Sequence, residues 1–199
     1  MTEQEQLELV RKDGFLIQDI DNPSEVVCLA AVKQSGDAIK HIKNPTEAVC
    51  LAAVQQSGSV IRFINNPSEA IQLATVKRNG FAIQFFDNPS EAVYLAAVKQ
   101  NGYAIGYIKN PSLEVCLAAV QQNGYAIQDI KNPSEVVCLA AVQQNGSVIR
   151  YINNPSLAVQ KYLIEQDKNN IFNIPKDKLH PEIKKKYQYL FSMKKAGIL

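Results

Sequence analysis

Apolar and polar residues follow a fixed order that returns every 22 residues along most of the chain. One copy begins at Asn22-Pro23, continues through an apolar run from Val26 to Val32, and reaches Gly36 before a second, shorter apolar stretch. A period in this range is typical of solenoid proteins. The markers of the period are Pro23, Pro45, Pro67, Pro89, Pro111, Pro133 and Pro155, together with Gly14, Gly36, Gly58, Gly80, Gly102, Gly124 and Gly146.

Each copy predicts two helices. The Asn-Pro pair predicts a helix start, with Asn22 as the cap and Glu25 bonding back to it. Residues 26–34 then supply about three turns. Gly36 is expected to end this helix in the left-handed conformation, and Ala38–Ile42 is expected to form a second, shorter helix. A hairpin of this size is too small to fold alone, so it must stack on its neighbours.

The copies agree most closely at their apolar positions, which predicts an all-α solenoid of stacked helical hairpins. The shared Leu, Val and Ile residues form the expected seam between repeats, and small Ala residues let the helices approach. The Ile position is fixed in all copies, and the Leu and Val positions are fixed in six. These residues are Leu29, Leu51, Leu73, Leu95, Leu117 and Leu139; Val32, Val54, Val76, Val98, Val120 and Val142; and Ile17, Ile39, Ile61, Ile83, Ile105, Ile127 and Ile149.

Both ends of the array depart from this pattern, as capping repeats do. In the first repeat Glu5 and Glu8 replace the usual Val and Ala, and in the last Lys161 and Tyr162 replace Leu and Ala. We therefore predict seven full units plus a final helix over 1–166. The remainder, 167–199, is predicted to be a loop over Asp167–His180 and an amphipathic helix over Pro181–Ala196. This helix either caps the stack or contacts a membrane surface or nucleic acid through its lysines.

Charge and cysteine usage narrow the function classes. Residues 1–154 carry 12 basic and 15 acidic groups, net −3, and the rest carry 9 and 4, net +5. The repeat body is therefore not a polyanion binder by overall charge. No apolar run approaches the length of a membrane span, and the acidic start is the opposite of a secretory signal. The cysteines, predicted to be free thiols of a cytoplasmic protein, share one position about 8–10 Å apart in neighbouring repeats; they are Cys28, Cys50, Cys116 and Cys138.

The residues that catalysis or metal binding would need are scarce. The two histidines are His41, expected on the outer face of a short helix, and His180, next to a proline. Neither has a plausible nucleophile nearby, no close Cys/His pair predicts a zinc site, and the glycines are too far apart for a phosphate loop. We predict a non-enzymatic protein with no catalytic residue, no metal site and no cofactor.

The strongest candidate site is the outward face of the short helices. Two positions four residues apart, those of Asp37 and His41, vary between copies, and the spacing predicts that they share one face. Exposed aromatic clusters often mark protein interfaces, so we predict a protein partner there. The alternative is that the rings only pack on one another and stiffen the stack. The predicted partner-binding residues are Phe63, Phe81, Phe85, Tyr103, Gly106, Tyr107, Tyr125 and Tyr151.

A second hypothesis is binding of single-stranded RNA, one base per repeat. Lys40, Arg62 and Arg150 share one outward position, and the neighbouring rings could stack on bases. The acidic repeat body argues against a nucleic-acid partner.

The repeat resembles a known family. The pattern Asn-Pro-Ser-Glu-x-Val-Cys-Leu-Ala-Ala-Val, followed by Gln-[Asn/Ser]-Gly-[Tyr/Phe]-Ala-Ile-Gln, is similar to a tandem helical repeat family of unknown function. That family is associated with large DNA viruses, amoeba-associated bacteria and protists. The resemblance covers roughly Glu3–Glu165 and implies an interaction scaffold, a viral or effector protein inside a host cell, without implying ligand residues. The chain departs from the pattern at Gly106 and at Leu113-Glu114.

Overall fold

A computed structural model describes residues 1–198, and over these residues the chain is helical without any strand. Repeat 1 spans 1–22, and each later repeat begins at a marker proline. Every repeat contributes one α-helix and one 3₁₀ helix, which confirms an all-α solenoid of stacked hairpins. The α-helices are α1 Glu3–Lys12, α2 Glu25–Gln34, α3 Glu47–Gln56, α4 Glu69–Arg78, α5 Glu91–Gln100, α6 Leu113–Gln122, α7 Glu135–Gln144 and α8 Leu157–Gln166. The 3₁₀ helices are η1 Gly14–Asp19, η2 Gly36–His41, η3 Gly58–Phe63, η4 Gly80–Phe85, η5 Gly102–Tyr107, η6 Gly124–Asp129, η7 Gly146–Tyr151 and η8 Lys168–Asn173.

The chain divides into two compact units, Met1–Lys109 and Asn110–Leu199. Within each unit the α-helices of consecutive repeats contact one another, and so do their 3₁₀ helices. The core between the two rows is formed by equivalent residues of each repeat, such as Val27, Val32 and Ile39, which are at most 2% exposed. The predicted boundary between 1–166 and 167–199 separates repeats from tail, which is a different division, and it stays a prediction.

The start of each α-helix differs from the prediction. The cap of α2 is the Ser24 side chain, which accepts a hydrogen bond from the Val27 amide, and the helix begins at Glu25. Asn22 lies two residues before the cap and is left-handed, with φ of 50°. Asn tolerates that conformation better than most residues, so it is selected for the turn and not for the cap.

The marker glycines also act differently from the prediction. They do not end the α-helix in a left-handed conformation; the only glycine with positive φ among the described residues is Gly197. They begin the 3₁₀ helix, where the next repeat comes very close. A Cβ on Gly80 would lie 2.5 Å from the Ala97 carbonyl oxygen of α5. Glycine is therefore required by the approach of the following helix.

Two kinds of side-chain hydrogen bond join consecutive repeats. At the helix start, a Ser or Thr hydroxyl donates to a Glu carboxylate of the preceding repeat, so Glu25 bonds across to Thr46 and not back to its own cap. The other bonds of this kind are Ser24 to Glu3, Ser68 to Glu47 and Ser90 to Glu69. At the helix end, a Gln side chain accepts from a glycine amide of the preceding repeat: Gly14 to Gln34 (2.8 Å), Gly80 to Gln100 (2.7 Å) and Gly124 to Gln144 (2.8 Å).

The last repeat is complete, which corrects the prediction of a loop over Asp167–His180. Asp167 caps η8, and Ile171 and Ile174 enter the core as their counterparts do in earlier repeats. The position of the marker glycine is held by Lys168, which is exposed. No further repeat follows η8, so a side chain fits there.

Three short helices follow η8: η9 Lys176–Lys178, α9 Pro181–Lys186 and α10 Gln188–Lys195. The single helix predicted over Pro181–Ala196 is thus broken at Tyr187, which lies outside the helical region with ψ of 20°. Gln160 of α8, 1% exposed, holds this segment through bonds to the Lys178 carbonyl (3.0 Å) and the His180 amide (3.0 Å). Lys161 pairs with Glu182 at 2.9 Å, so a residue that departs from the repeat pattern contacts α9.

Candidate partner-binding surface

All eight predicted site residues lie in the 3₁₀ helices. We call the second and sixth residues of η1–η7 the ridge. Second-position rings are Phe81, Tyr103 and Tyr125, and sixth-position rings are Phe63, Phe85, Tyr107 and Tyr151. Sixth-position rings are the more exposed: Phe85 54%, Tyr107 51%, Tyr151 42% and Phe63 38%. Among the second-position rings, Tyr103 is 38% exposed and the other two are half-buried.

Contacts between ridge rings run from one repeat to the next. A 3₁₀ helix has three residues per turn, so its second and sixth residues point about 120° apart. The expectation that Phe81 and Phe85 share a face of one helix is therefore wrong. Instead, Phe81 meets Tyr107 edge-on at 5.9 Å between ring centroids, and Tyr125 meets Tyr151 in the same way at 5.9 Å.

These contacts separate the two hypotheses made for the rings. Phe81 and Tyr125 are half-buried and support a ring of the next repeat, and the Tyr125 hydroxyl also bonds to Ser147 at 2.9 Å. Packing between repeats accounts for them. The sixth-position rings keep about half of their surface exposed, and packing alone does not account for that exposure.

In the first unit three sixth-position rings follow one another, Phe63, Phe85 and Tyr107, one in each of repeats 3, 4 and 5. The Arg62 guanidinium lies 4.9 Å from the Phe63 ring centroid and adds a cation beside the row. Gly106 is exposed in η5, so no side chain stands next to Tyr107 at the position that Arg62 occupies in repeat 3.

In the second unit Tyr151 lies at the edge of a cavity of about 850 Å³. Its walls come from the Asn-Pro turns of repeats 6 and 7 and include Lys131, Asn132, Asn153 and the thiol-bearing Cys138. These turns have the same pattern as the turns of other repeats, so no sequence signal marks the cavity. A mixed polar and apolar lining of this kind suits a peptide side chain or other small polar group.

The remaining reactive groups are engaged in packing. His41 is half-buried against the Phe15 ring at 6.1 Å, and the His180 side chain caps α9. All four cysteines are free and buried, and burial raises the pKa of each thiol. Among residues 1–198, no three His, Cys, Asp or Glu side chains are grouped so that they could hold a metal ion. No helix in the same range has the length and apolar character that crossing a membrane needs.

The cysteine position has a shared role that sequence analysis missed. Cys28 directs its thiol toward the Pro23 carbonyl at 3.9 Å, and in repeat 4 the Gln72 amide donates to the Pro67 carbonyl at 3.0 Å. The position therefore selects a hydrogen-bond donor. The mixture of Cys and Gln at one site of the repeat was the available signal.

Comparison of the chain with protein-family models, with curated proteins and with solved structures finds no match. The regular helical repeat is thus established by the structure itself, and the resemblance to a named repeat family is not confirmed.

Proposed function

We propose that this protein is a non-enzymatic scaffold that binds another protein through the ridge. The observation that supports this most is the row of exposed rings at Phe63, Phe85 and Tyr107, one per repeat within one compact unit. Large aromatic side chains on a rigid support bury much area at small entropic loss, which is why they dominate interface energetics. The partner is expected to present apolar side chains at the spacing of the repeats.

Photo-crosslinking tests this proposal directly. A photoreactive phenylalanine analogue is placed at Phe85 on the ridge and, in a control variant, at Val26, which is 57% exposed on α2. In the native cell we expect one protein to be captured repeatedly from Phe85 and not from Val26. The Phe63→Ala/Phe85→Ala variant should then weaken binding of that purified protein by at least about tenfold, as loss of central interface rings does. Equal capture from both positions, or unaltered affinity with an unchanged circular dichroism spectrum, would contradict the proposal.

The alternative is single-stranded RNA binding, which the pairing of cations with rings favours. Besides Arg62 on Phe63, the Lys40 amine lies 4.9 Å from the Phe15 ring centroid. Anisotropy of a labelled random RNA oligomer at low salt tests it, since phosphate contacts are strongest there. Absence of binding under those conditions removes this alternative.

We also propose that the chain belongs to the repeat family of large DNA viruses, amoeba-associated bacteria and protists that it resembles, and that it acts inside a host cell. The 22-residue period with its Asn-Pro and glycine markers supports the first point. Four free, buried thiols support a reducing compartment. Fractionation of cells that produce the tagged protein, with labelling of thiols after denaturation, would test the location; protein recovered outside the cell or with oxidised thiols would contradict it.

A further inference from the structure

The helices that follow repeat 8 form a groove that the proposed ridge site does not use. Two adjoining cavities, of about 520 and 450 Å³, share Lys176 and Phe191 in their walls. Both volumes are in the range of ordinary ligand sites. We call the two together the lysine groove. Its floor is apolar, formed by Leu179 in one cavity, Phe172 and Ile174 in the other, and Phe191 between them.

The rim of the lysine groove is entirely basic. Lys184 and Lys185 line the first cavity, Lys194 and Lys195 line the second, and Lys176 lies between; no Asp or Glu lines either one. None of these five lysines forms an ion pair within residues 1–198, where the single salt bridge is Lys161 to Glu182. Glu182, the carboxylate on α9, is thus already engaged. The positive charge of the rim is left for a ligand to neutralise.

The groove is preformed. Ile183 and Leu190 anchor α9 and α10 at 2% and 7% exposure, and the Phe172 and Phe191 rings meet edge-on at 5.7 Å. The Lys194 amine lies 4.0 Å from the Phe172 ring centroid, so its position is also fixed. A preorganised groove loses little conformational freedom on binding, which favours affinity.

We propose that the lysine groove binds an acidic peptide segment of a partner protein, with bulky apolar side chains in the two cavities and Asp or Glu side chains on the lysines. The recessed floor favours this occupant over a membrane, because insertion into lipid needs apolar groups that protrude beyond the charged ones. It also favours a peptide over single-stranded nucleic acid. Bases stack on open aromatic faces, whereas Phe172 is covered by Lys194 and Phe191 packs on Phe172. This site is separate from the ridge, and either can exist without the other.

The test uses the full chain and a panel of labelled synthetic peptides in which Leu and Phe are flanked by Glu and Asp. Two matched panels replace Leu and Phe with Ser, or Glu and Asp with their amides. We expect members of the first panel to change anisotropy on binding, with weaker binding as salt is raised. Both matched panels should bind at least about tenfold more weakly, since floor and rim each contribute.

The Lys184→Glu/Lys185→Glu variant should weaken binding of the best peptide by about tenfold or more through lost attraction and new repulsion. The charge-matched control is Lys77→Glu/Lys99→Glu on α4 and α5, which are exposed and away from the groove, and it should leave binding nearly unchanged. Circular dichroism checks that both variants fold. The proposal is overturned if no acidic peptide binds, if the Ser panel binds equally well, or if both variants behave alike. Capture of phosphatidylserine vesicles or RNA in place of the peptides would also overturn it.

Discussion

The residue at the start of each short helix is selected by the space that the following repeat leaves. At Gly80 the carbonyl oxygen of Ala97 would lie 2.5 Å from an added Cβ, whereas at Gly58 the nearest atom would be 3.9 Å away, in Arg78. The gap is wider at Gly58, and there repeat 4 carries Thr75, buried, where other repeats have Ala. The same glycine in the sequence therefore meets two different constraints.

Gly80→Ala should destabilise the protein by about 1–3 kcal/mol, because the new methyl group overlaps backbone of α5. Gly58→Ala adds the same methyl group without overlap, so its effect should be within about 1 kcal/mol of zero. Urea unfolding followed by circular dichroism measures both. Equal effects of the two substitutions would show that close approach is not what selects glycine.

The cysteines predict a pH dependence. Because burial raises the pKa of the four thiols above the ordinary 9.0, the folded chain holds those protons at pH values where the unfolded chain releases them. Their contribution to stability is full below the ordinary pKa and is lost as pH rises through the folded value. Alkylation at neutral pH should accordingly be slow in the folded protein and speed up on unfolding.

A variant with Gln in place of all four cysteines is the control for this effect, since repeat 4 already carries Gln72 there. It should fold and show a smaller loss of stability above pH 9. Folded-state alkylation as fast as that of a free thiol would contradict the burial described above.

At the scale of the element, each α-helix is joined to its neighbour by the bond from a Ser or Thr hydroxyl to the preceding Glu. Repeat 6 has Leu113 in the position of that Glu, 56% exposed, so the hydroxyl of Ser134 has no such carboxylate to donate to. The departure from the repeat pattern at Leu113 thus has a structural consequence within the second unit.

Leu113→Glu should restore the bond to Ser134 and stabilise the second unit by about 0.5–1 kcal/mol, the net value of an exposed hydrogen bond to a charged group. Glu69→Leu, the reverse change in the first unit, should remove the bond from Ser90 and destabilise by a similar amount. Hydrogen exchange of the α7 and α5 amides, respectively, locates each effect. Changes of the same sign in both variants would rule out this role for the carboxylate.

Much of the element level could be predicted from the sequence, and the errors have a common cause. Periodicity alone gives the hairpins, the solenoid and the inward position of Ile39, because these depend on apolar spacing within one repeat. Asn22, Glu25 and Gly36 were each assigned a role inside their own repeat. Glu25 and the marker glycines serve the contact with the next repeat, whose distance no single copy contains, and Asn22 serves the turn before the cap. The ridge failed in part for a related reason, since a 3₁₀ helix and an α-helix of this length have indistinguishable patterns.

For the whole molecule, the consequence of contacts between neighbouring repeats is that stability is close to a sum over repeats and their interfaces. Both kinds of inter-repeat hydrogen bond join residues about one period apart, for example Glu47 with Ser68 and Gly14 with Gln34. A whole added repeat supplies the partners that its neighbours need. Part of a repeat does not.

Duplication of residues 45–66 in tandem should therefore give a folded protein with unchanged ellipticity per residue and a urea midpoint equal to or above that of the parent. Duplication of 45–55 alone is the control, since it adds a helix without its 3₁₀ helix and turn and should lower the midpoint sharply. Circular dichroism and urea unfolding distinguish the two. A loss of fold in the full duplication would mean that longer-range contacts set the number of repeats.

Lys168 bears on how such an array can lengthen during evolution. Recombination between two internal copies inserts a repeat whose first short-helix residue is already glycine, so a single genetic event suffices. Growth beyond the eighth repeat would bury Lys168 beneath a new helix, and it would need a point mutation as well as a duplication. Lineages of this protein should therefore differ in repeat number within the array while sharing the same final copy.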